Sequence, residues 1–172
     1  EVDRARKLLA DWGEHVVIVH PGSGGLQKNW PLVKYLELAE RMQQESAVAP
    51  VFSIGEADGA IAGQLGRMNP GFPMIAGLSL VRLAAVLSVC HGYVGNDSGI
   101  THLAAALGVP TVAIFGPTDP AIWGPRGPGV RLLYDRSSCS PCSSEARSAC
   151  SRQCLERIDP DRGIELLSPF FG

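Results

Sequence analysis

The sequence predicts an α/β domain in which a parallel sheet carries helices on both faces. Apolar runs rich in β-branched residues alternate with segments whose apolar residues recur every three or four positions. The runs are continuous, which is typical of strands buried on both faces. Strands separated by helices imply right-handed crossovers, which make neighbouring strands parallel. The 20 glycines and 13 prolines gather at the ends of apolar runs, where such a fold needs tight turns.

The first elements follow in chain order. We expect residues 1–14, a charged and helix-like stretch, to be a linker helix from a missing N-terminal domain, and residues 15–172 to form the domain itself. The segment HVVIVH, residues 15–20, is the first strand, and the glycine-rich loop PGSGGLQKN follows it. Pro31 opens the next helix, because the N–H that proline lacks would be unpaired there.

The later elements are predicted from the same patterns and from capping residues. Ser79 is placed to cap one helix and Gly108 to end another. The inward positions of the helix after Ser79 are Leu80, Leu83, Ala84 and Leu87. The remaining predicted strands are residues 50–54, 73–76, 93–95, 109–115 and 130–134, and the other helices are residues 57–68 and 100–107.

Composition restricts the classes of partner. A length of 172 residues suits one domain, and 45% hydrophobic residues can build an ordinary core. The net charge of −2 gives no basic excess of the kind that nucleic-acid-binding domains carry. No apolar run reaches the ~18 residues that a membrane helix needs. We therefore expect no nucleic acid as partner and at most peripheral membrane contact.

The loop after the first strand is a candidate phosphate site, since ligands of parallel α/β sheets bind beyond the carboxyl ends of the strands. Gly22, Gly24 and Gly25 allow a ligand close to the backbone. Ser23 adds a hydroxyl and Lys28 a mobile cation. The loop leads into a helix N-terminus, where free N–H groups favour anions. A solvated surface loop with an incidental lysine would have the same composition, so both interpretations stay open.

A second candidate segment is GNDSGITHLAAALGVP, in which a strand runs into a short helix. Ser98 and Gly99 can offer backbone N–H groups at the helix start, and Asp97 can accept hydrogen bonds from sugar hydroxyls. His102 lies off the apolar stripe, on the face of Ser98, and could reach a phosphate. The alternatives are a simple N-cap for Asp97 or Ser98 and a plain helical residue for His102.

Two further loops hold polar residues. Glu56 follows the second strand, where dinucleotide-binding domains often place a ribose-binding acid. In the segment FGPTDPAIWGPRG, Thr118 and Asp119 could line the cleft and Arg126 could contact phosphate. For these last three residues we predict ordinary surface roles.

These segments together resemble glycosyltransferase family 9, the ADP-heptose:lipopolysaccharide heptosyltransferases and their relatives. The resemblance runs from about residue 16 to about residue 160 and is carried by HPGSGGLQKNWP, GNDSGITHLAAALGVPTVAIFGPTDP and the late CSPC. It implies a GT-B architecture, in which two Rossmann-like domains face a cleft and this chain is the C-terminal, donor-binding half. It further implies an inverting transfer that needs no cofactor and no catalytic metal, with the base in the N-terminal domain.

The resemblance also implies a set of donor-binding residues: Ser23, Lys28, Glu56, Leu78, Asp97, Ser98, Gly99 and His102. The first loop would contact the diphosphate, the glutamate the ribose, the leucine the adenine, and the last four residues the sugar and phosphates. Two positions depart from the family pattern. Ser98 stands where the family usually has threonine, and Asn29 where heptosyltransferases often have arginine. Because serine keeps the hydroxyl, donor binding is still expected. The two departures bear instead on which sugar the donor carries.

The implied function is transfer of heptose, or a related sugar, from ADP-heptose to a lipid-linked, lipopolysaccharide-type acceptor. The whole enzyme would work in the cytoplasm, at the inner membrane, and this chain alone would bind donor without transferring it. Two other classes stay open: another GT-B transferase or an epimerase that uses a UDP-sugar, and a non-catalytic nucleotide-binding module. Nucleotide preference tests the former, and donor binding without transfer by the full-length protein would indicate the latter.

A group of four cysteines lies in a late, serine- and arginine-rich stretch. The residues are Cys139, Cys142, Cys150 and Cys154. Their spacing could hold zinc, although the middle gap is shorter than in most zinc ribbons. We expect instead that residues 139–158 order a loop beside the donor site, with disulfides able to form in the purified protein.

Overall fold

The computed structural model describes residues 1–45, 48–68, 70–136, 140–142 and 150–171. The strands are β1 (His15–His20), β2 (Val48–Ile54), β3 (Met74–Ala76), β4 (Gly92–Asn96), β5 (Thr111–Phe115) and β6 (Val130–Tyr134). The helices are α1 (Val2–Ala10), α2 (Leu32–Glu45), α3 (Gly59–Met68), α4 (Leu80–Leu87), α5 (Gly99–Ala106), α6 (Pro120–Trp123), α7 (Gln153–Glu156) and α8 (Pro160–Leu167). Single 3-10 turns occupy Leu26–Lys28, Glu56–Asp58 and Ser168–Phe170.

The strands form one parallel sheet in the order β3-β2-β1-β4-β5-β6. The chain first builds the sheet outwards from β1 to β3 and then returns to add β4 on the other side of β1. The loops after β1 and β4 therefore diverge at the carboxyl edge and leave a crevice between them, the usual position of a ligand in such sheets. The predicted parallel α/β fold is confirmed.

Helices cover both faces of the sheet, and successive residues of β1 enter opposite layers of the core. Val17 and Val19 pack in the layer formed with α2, α3 and α8, whereas Val16 and Ile18 pack in the layer formed with α1, α4 and α5. All four side chains are buried, which explains the continuous apolar run of this strand. In the part of the chain that the structure describes, no helix has the length and apolar character needed to cross a membrane.

The helix expected to be a linker, α1, packs against α4. Its residues Ala5 and Leu9 are buried in the same layer as α4 and α5. The amphipathic pattern of residues 2–10 is therefore used within this domain. The boundary that we place at residue 15 remains a prediction about the longer protein.

The inward face of α4 differs from the prediction. Its buried residues are Leu83, Ala85, Val86 and Leu87, whereas Leu80 is 62% exposed. The helix begins at the carboxyl edge of the sheet, directly after the loop that follows β3. Its first residue therefore lies outside the part of the helix that covers the strands, which leaves Leu80 exposed. Ser79 caps the helix as predicted, since its hydroxyl accepts a hydrogen bond from the Arg82 N–H at 3.4 Å.

The second strand begins at Val48, two residues before the predicted start at Pro50. Because proline is disfavoured within central strands, the local pattern favours a strand that starts at Pro50 over one that contains it. Pairing with β3 covers only Phe52–Ile54. Pro50 therefore lies ahead of the part of β2 that has neighbours on both sides, where a missing N–H is tolerated.

Two helices near the C-terminus, α7 and α8, have no counterpart in the sequence prediction. The start of α8 is signalled by Asp159 and Pro160, because an acidic cap followed by proline is a typical helix beginning. The Asp159 carboxylate accepts a hydrogen bond from the Asp161 N–H at 2.9 Å. Leu167 of this helix is buried in the layer of α2 and α3.

Candidate functional site

The glycine-rich loop after β1 is fastened to β4 by the side chain of Asn96. Asn96 is fully buried at the end of β4. Its Oδ1 accepts a hydrogen bond from the Trp30 N–H at 2.9 Å, and its Nδ2 donates to the Pro21 carbonyl at 2.8 Å. These bonds hold both ends of the loop against the crevice. Our sequence analysis ended this strand at residue 95 and gave Asn96 no role. An amide at the end of a buried run could have signalled this one, because buried amides need hydrogen-bond partners.

Lys28 and Asp97, which we assigned to one ligand from two separate loops, are in direct contact. Lys28 Nζ donates to Asp97 Oδ2 at 3.0 Å, and the side chains are 30% and 9% exposed, respectively. The lysine ends a 3-10 turn, and the aspartate directly follows β4. The structure thus brings a partly accessible cation and a buried carboxylate together at the crevice.

Thr118 belongs to the same cluster, so the prediction that it is an ordinary surface residue is wrong. Its side chain lies in the loop after β5, is 7% exposed and donates a hydrogen bond to Asp97 Oδ2 at 2.8 Å. The contact arises because β4 and β5 are neighbours, so the loops that follow them meet. For Asp119 and Arg126 the prediction agrees with the structure: Asp119 accepts a hydrogen bond from the Ala121 N–H at 2.9 Å and caps α6, and Arg126 is exposed.

The Ser23 hydroxyl serves the loop in which it lies. Its oxygen is 2.8 Å from the Gly25 carbonyl and 2.5 Å from Asn29 Oδ1, so its single proton can be donated to either. It also accepts a hydrogen bond from the Gly25 N–H at 3.3 Å. Asn29, one of the two departures from the family pattern, is buried and supports the loop from within.

The N-terminus of α5 stands beside Asp97. Ser98 is its N-cap, and the Ser98 hydroxyl accepts a hydrogen bond from the Thr101 N–H at 3.3 Å. The cap that we considered for either Asp97 or Ser98 therefore belongs to Ser98, which leaves Asp97 for the ion pair. Gly99 is exposed, and a Cβ built there would meet no atom within 4 Å. His102, in the same helix, is also exposed.

A buried acid, Asp58, lies beneath the glycine-rich loop. It ends the 3-10 turn after β2, and its Oδ2 accepts a hydrogen bond from the Gly55 N–H at 2.9 Å. A Cβ at Gly22 would overlap the Asp58 carboxylate, so this glycine is required by a contact inside the protein. At Gly24 and Gly25 a Cβ would meet nothing within 4 Å, which leaves that backbone open to approach.

His20 completes this buried group. Its Nδ1 lies 2.9 Å from the Ser53 carbonyl and donates to it, and its Nε2 is 3.8 Å from Asp58 Oδ2. Burial lowers the pKa of His20 below its usual value of 6.5, and the Ser53 carbonyl and the Asp58 carboxylate only partly offset this effect. The imidazole is therefore neutral near pH 7. Sequence analysis did not single out this pair, because His20 ends β1 and Asp58 lies 38 positions later, in the turn after β2.

The residues assigned to the ribose and the adenine lie further along the same edge of the sheet. Glu56 is exposed and begins the 3-10 turn after β2. Leu78 follows β3, is partly buried, and packs against the layer of α1 and α4. Both stand on the β2–β3 side of the crevice, and their assignment to the ribose and the adenine remains a prediction.

With this geometry in view, comparison with known proteins identifies the family. The family model of glycosyltransferase family 9 (heptosyltransferase) matches residues 2–152. The chain belongs to glycosyltransferase family 9. Lipopolysaccharide heptosyltransferase 1 of Pseudomonas aeruginosa is 34% identical over 157 residues, which cover 90% of this chain and 43% of that protein. Lipopolysaccharide heptosyltransferase 2 of Escherichia coli is 32% identical over 149 residues, which cover 84% of this chain and 43% of that protein.

Solved structures of the family show the same fold. E. coli ADP-heptose lipopolysaccharide heptosyltransferase II superposes with a TM-score of 0.79 at 25% identity, over 99% of this chain and 50% of that one. A family 9 glycosyltransferase from Veillonella parvula gives a TM-score of 0.78 at 22% identity, over 99% of this chain and 51% of that one. The family 9 chain described here thus spans about half the length of its relatives. Its Rossmann-like sheet corresponds to the C-terminal half of a GT-B transferase, as the resemblance implied.

The late cysteines of this family 9 chain adjoin the loops of the crevice. The Cys142 N–H donates to the Pro117 carbonyl at 2.9 Å, and the Arg152 guanidinium donates to the Leu26 carbonyl at 3.3 Å. Among the described residues no three His, Cys, Asp or Glu side chains are grouped so as to hold a metal ion. Cys139 lies outside the described residues, so zinc stays an untested alternative. The two contacts join this segment to the loops after β5 and β1, and its expected role in ordering a loop beside the donor site remains a prediction.

Proposed function

We propose that this chain is the donor-binding domain of a heptosyltransferase. The whole enzyme would transfer heptose, or a related sugar, from ADP-heptose to a lipopolysaccharide-type acceptor, with inversion and without a metal. Family membership and the names of the relatives support this proposal. Because the chain spans half of those relatives, we assign the acceptor site and the catalytic base to an N-terminal domain, and the whole enzyme to the cytoplasm, with at most peripheral contact at the inner membrane.

The observation that carries the proposal is the Lys28–Asp97 ion pair at the crevice. An ammonium and a carboxylate in contact can serve the two chemically different parts of a nucleotide sugar. The diphosphate takes the cation, and sugar hydroxyls donate to the carboxylate. The N-terminus of α5 adds backbone N–H groups and a favourable dipole for negative charge.

The remaining donor contacts follow the order of the loops along the sheet edge. Ser23 would bind the diphosphate, Glu56 the ribose hydroxyls and Leu78 the adenine. Ser98, Gly99 and His102 would bind the phosphates and the sugar from the start of α5. In the reaction, the Lys28 ammonium and the N-terminus of α5 would stabilise the charge that develops on the departing nucleoside diphosphate.

Calorimetric titration of the chain with ADP, UDP and GDP tests the proposal. We expect ADP to bind most tightly, and Lys28→Ala to weaken ADP binding about tenfold to a hundredfold, because a charge-assisted contact is lost. Lys7→Ala is the matched control, since Lys7 is exposed on α1, and it should leave binding unchanged. A preference for UDP would instead indicate another GT-B transferase or an epimerase. Absence of nucleotide binding by the unmodified chain would refute the donor site.

Transfer itself must be measured with the full-length protein. Formation of glycosylated acceptor from ADP-heptose would establish the reaction, and the anomeric configuration of the product would report inversion. Donor binding without any transfer would indicate the non-catalytic module. Unchanged turnover after treatment with a chelator would support metal independence.

A further inference from the structure

Two donors share one oxygen of the Asp97 carboxylate. Lys28 Nζ lies 3.0 Å and Thr118 Oγ1 2.8 Å from Asp97 Oδ2. Within the described part of the chain, Oδ1 accepts no hydrogen bond, so it remains for a ligand. We propose that Thr118 is a positioning residue, which holds the Asp97 carboxylate in place while Lys28 is transferred to the donor diphosphate. This inference rests on the proposed function, because the diphosphate is the group that withdraws the lysine.

The two donors differ in mobility. Lys28 has a long side chain that is 30% exposed, so it can turn to a neighbouring anion. Thr118 has a short, β-branched side chain that is 7% exposed and stiff at χ1. The loop that carries Thr118 is held from behind, because the Pro117 carbonyl accepts a hydrogen bond from the Cys142 N–H at 2.9 Å. A ligand can therefore displace the lysine and leave the threonine bond intact.

The retained bond matters because the Asp97 side chain is only 9% exposed. A buried carboxylate that loses its cation and keeps no hydrogen bond is strongly disfavoured. The Thr118 hydroxyl lowers the cost of releasing Lys28 and fixes the carboxylate through Oδ2, so that Oδ1 stays available to a ligand. Without the hydroxyl, Asp97 would hold the lysine more tightly, and the diphosphate would compete less well for it.

A double-mutant cycle measured by ADP calorimetry on the chain tests this role. The variants are Thr118→Val, Thr118→Ser, Lys28→Met and the Lys28→Met/Thr118→Val pair. We expect Thr118→Val to weaken ADP binding about tenfold or more, since hydrogen bonds to charged groups are the stronger ones. Thr118→Ser, which keeps the hydroxyl, should bind ADP within about twofold of the unmodified chain. In the Lys28→Met background no lysine has to be released, so Thr118→Val should have little further effect.

The results that would contradict this role of Thr118 can be distinguished from a failure of the proposed function. An equal loss from Thr118→Val in both backgrounds would show a merely structural role and overturn the inference. So would a Thr118→Ser variant that binds as poorly as Thr118→Val. If the unmodified chain binds ADP and Thr118→Val binds it equally well, only this inference fails; if the unmodified chain binds no nucleotide, the proposed function fails with it. Thr118→Ala replaces Thr118→Val in the cycle if thermal denaturation shows that the valine variant is unfolded.

Discussion

Replacing Asn96 by alanine should loosen the donor loop and destabilise the domain together. The substitution removes two hydrogen bonds, of 2.9 Å from the Trp30 N–H and 2.8 Å to the Pro21 carbonyl. Both backbone groups are left in a buried site, where each unsatisfied group costs about 1–3 kcal/mol. We therefore expect the free energy of unfolding to fall by about 3 kcal/mol. For a domain of this size, that corresponds to a melting temperature lower by roughly 6–12 °C.

The assay is urea denaturation followed by tryptophan fluorescence, with ADP calorimetry on the same samples. Asn96→Asp separates the two bonds, since it keeps the acceptor for Trp30 but sets a second carboxylate oxygen against the Pro21 carbonyl. At neutral pH this variant should also lose stability, and it should recover part of that loss in mild acid, where a protonated carboxyl can donate to Pro21. If the free energy of unfolding of Asn96→Ala lies within about 0.5 kcal/mol of that of the unmodified chain, the two buried hydrogen bonds do not hold the loop in place, which refutes the prediction.

Three further predictions address the loops and the buried histidine. Gly22→Ala should lower the melting temperature by several degrees, because its Cβ would overlap Asp58, whereas Gly24→Ala should leave it unchanged; equal effects would contradict the packing argument. Gly99→Ala should keep the fold, since nothing lies within 4 Å of the added Cβ, but weaken ADP binding in calorimetry; unchanged affinity would place the phosphates elsewhere. Because burial lowers the pKa of His20 below 6.5, the unfolded chain binds a proton that the folded chain does not, so stability should fall as the pH drops below about 6.5. Urea titrations at pH 7.5 and 5.5 should show this loss, and His20→Asn should reduce it; a pH dependence that His20→Asn leaves intact would have another origin.

Apart from the short helix α6, the helices and strands up to β6 could be predicted from the sequence because local rules decide them. The run of residues 15–20 is apolar on both faces since β1 is covered by two layers, and the observed strand has the predicted bounds. Ser79 caps the start of α4 with its hydroxyl. Gly108 follows the end of α5 and has the positive φ of 77° that this position requires. The errors lie where a neighbour outweighs the local preference, as at Pro50 in β2 and Leu80 at the start of α4.

The candidate site could likewise be predicted from the sequence only in part. The residue types at Lys28 and Asp97 indicate a phosphate and a sugar ligand, and the motif order indicates the family, from the sequence alone. That these two side chains, 69 positions apart, touch each other depends on β1 and β4 being neighbours. Only the tertiary structure adds Thr118 to Asp97 and Asn96 to the loop ends, since these contacts join segments whose spacing in the chain has no periodicity. Chemical type is a property of each residue, whereas its partners are set by which strands lie next to each other in the sheet.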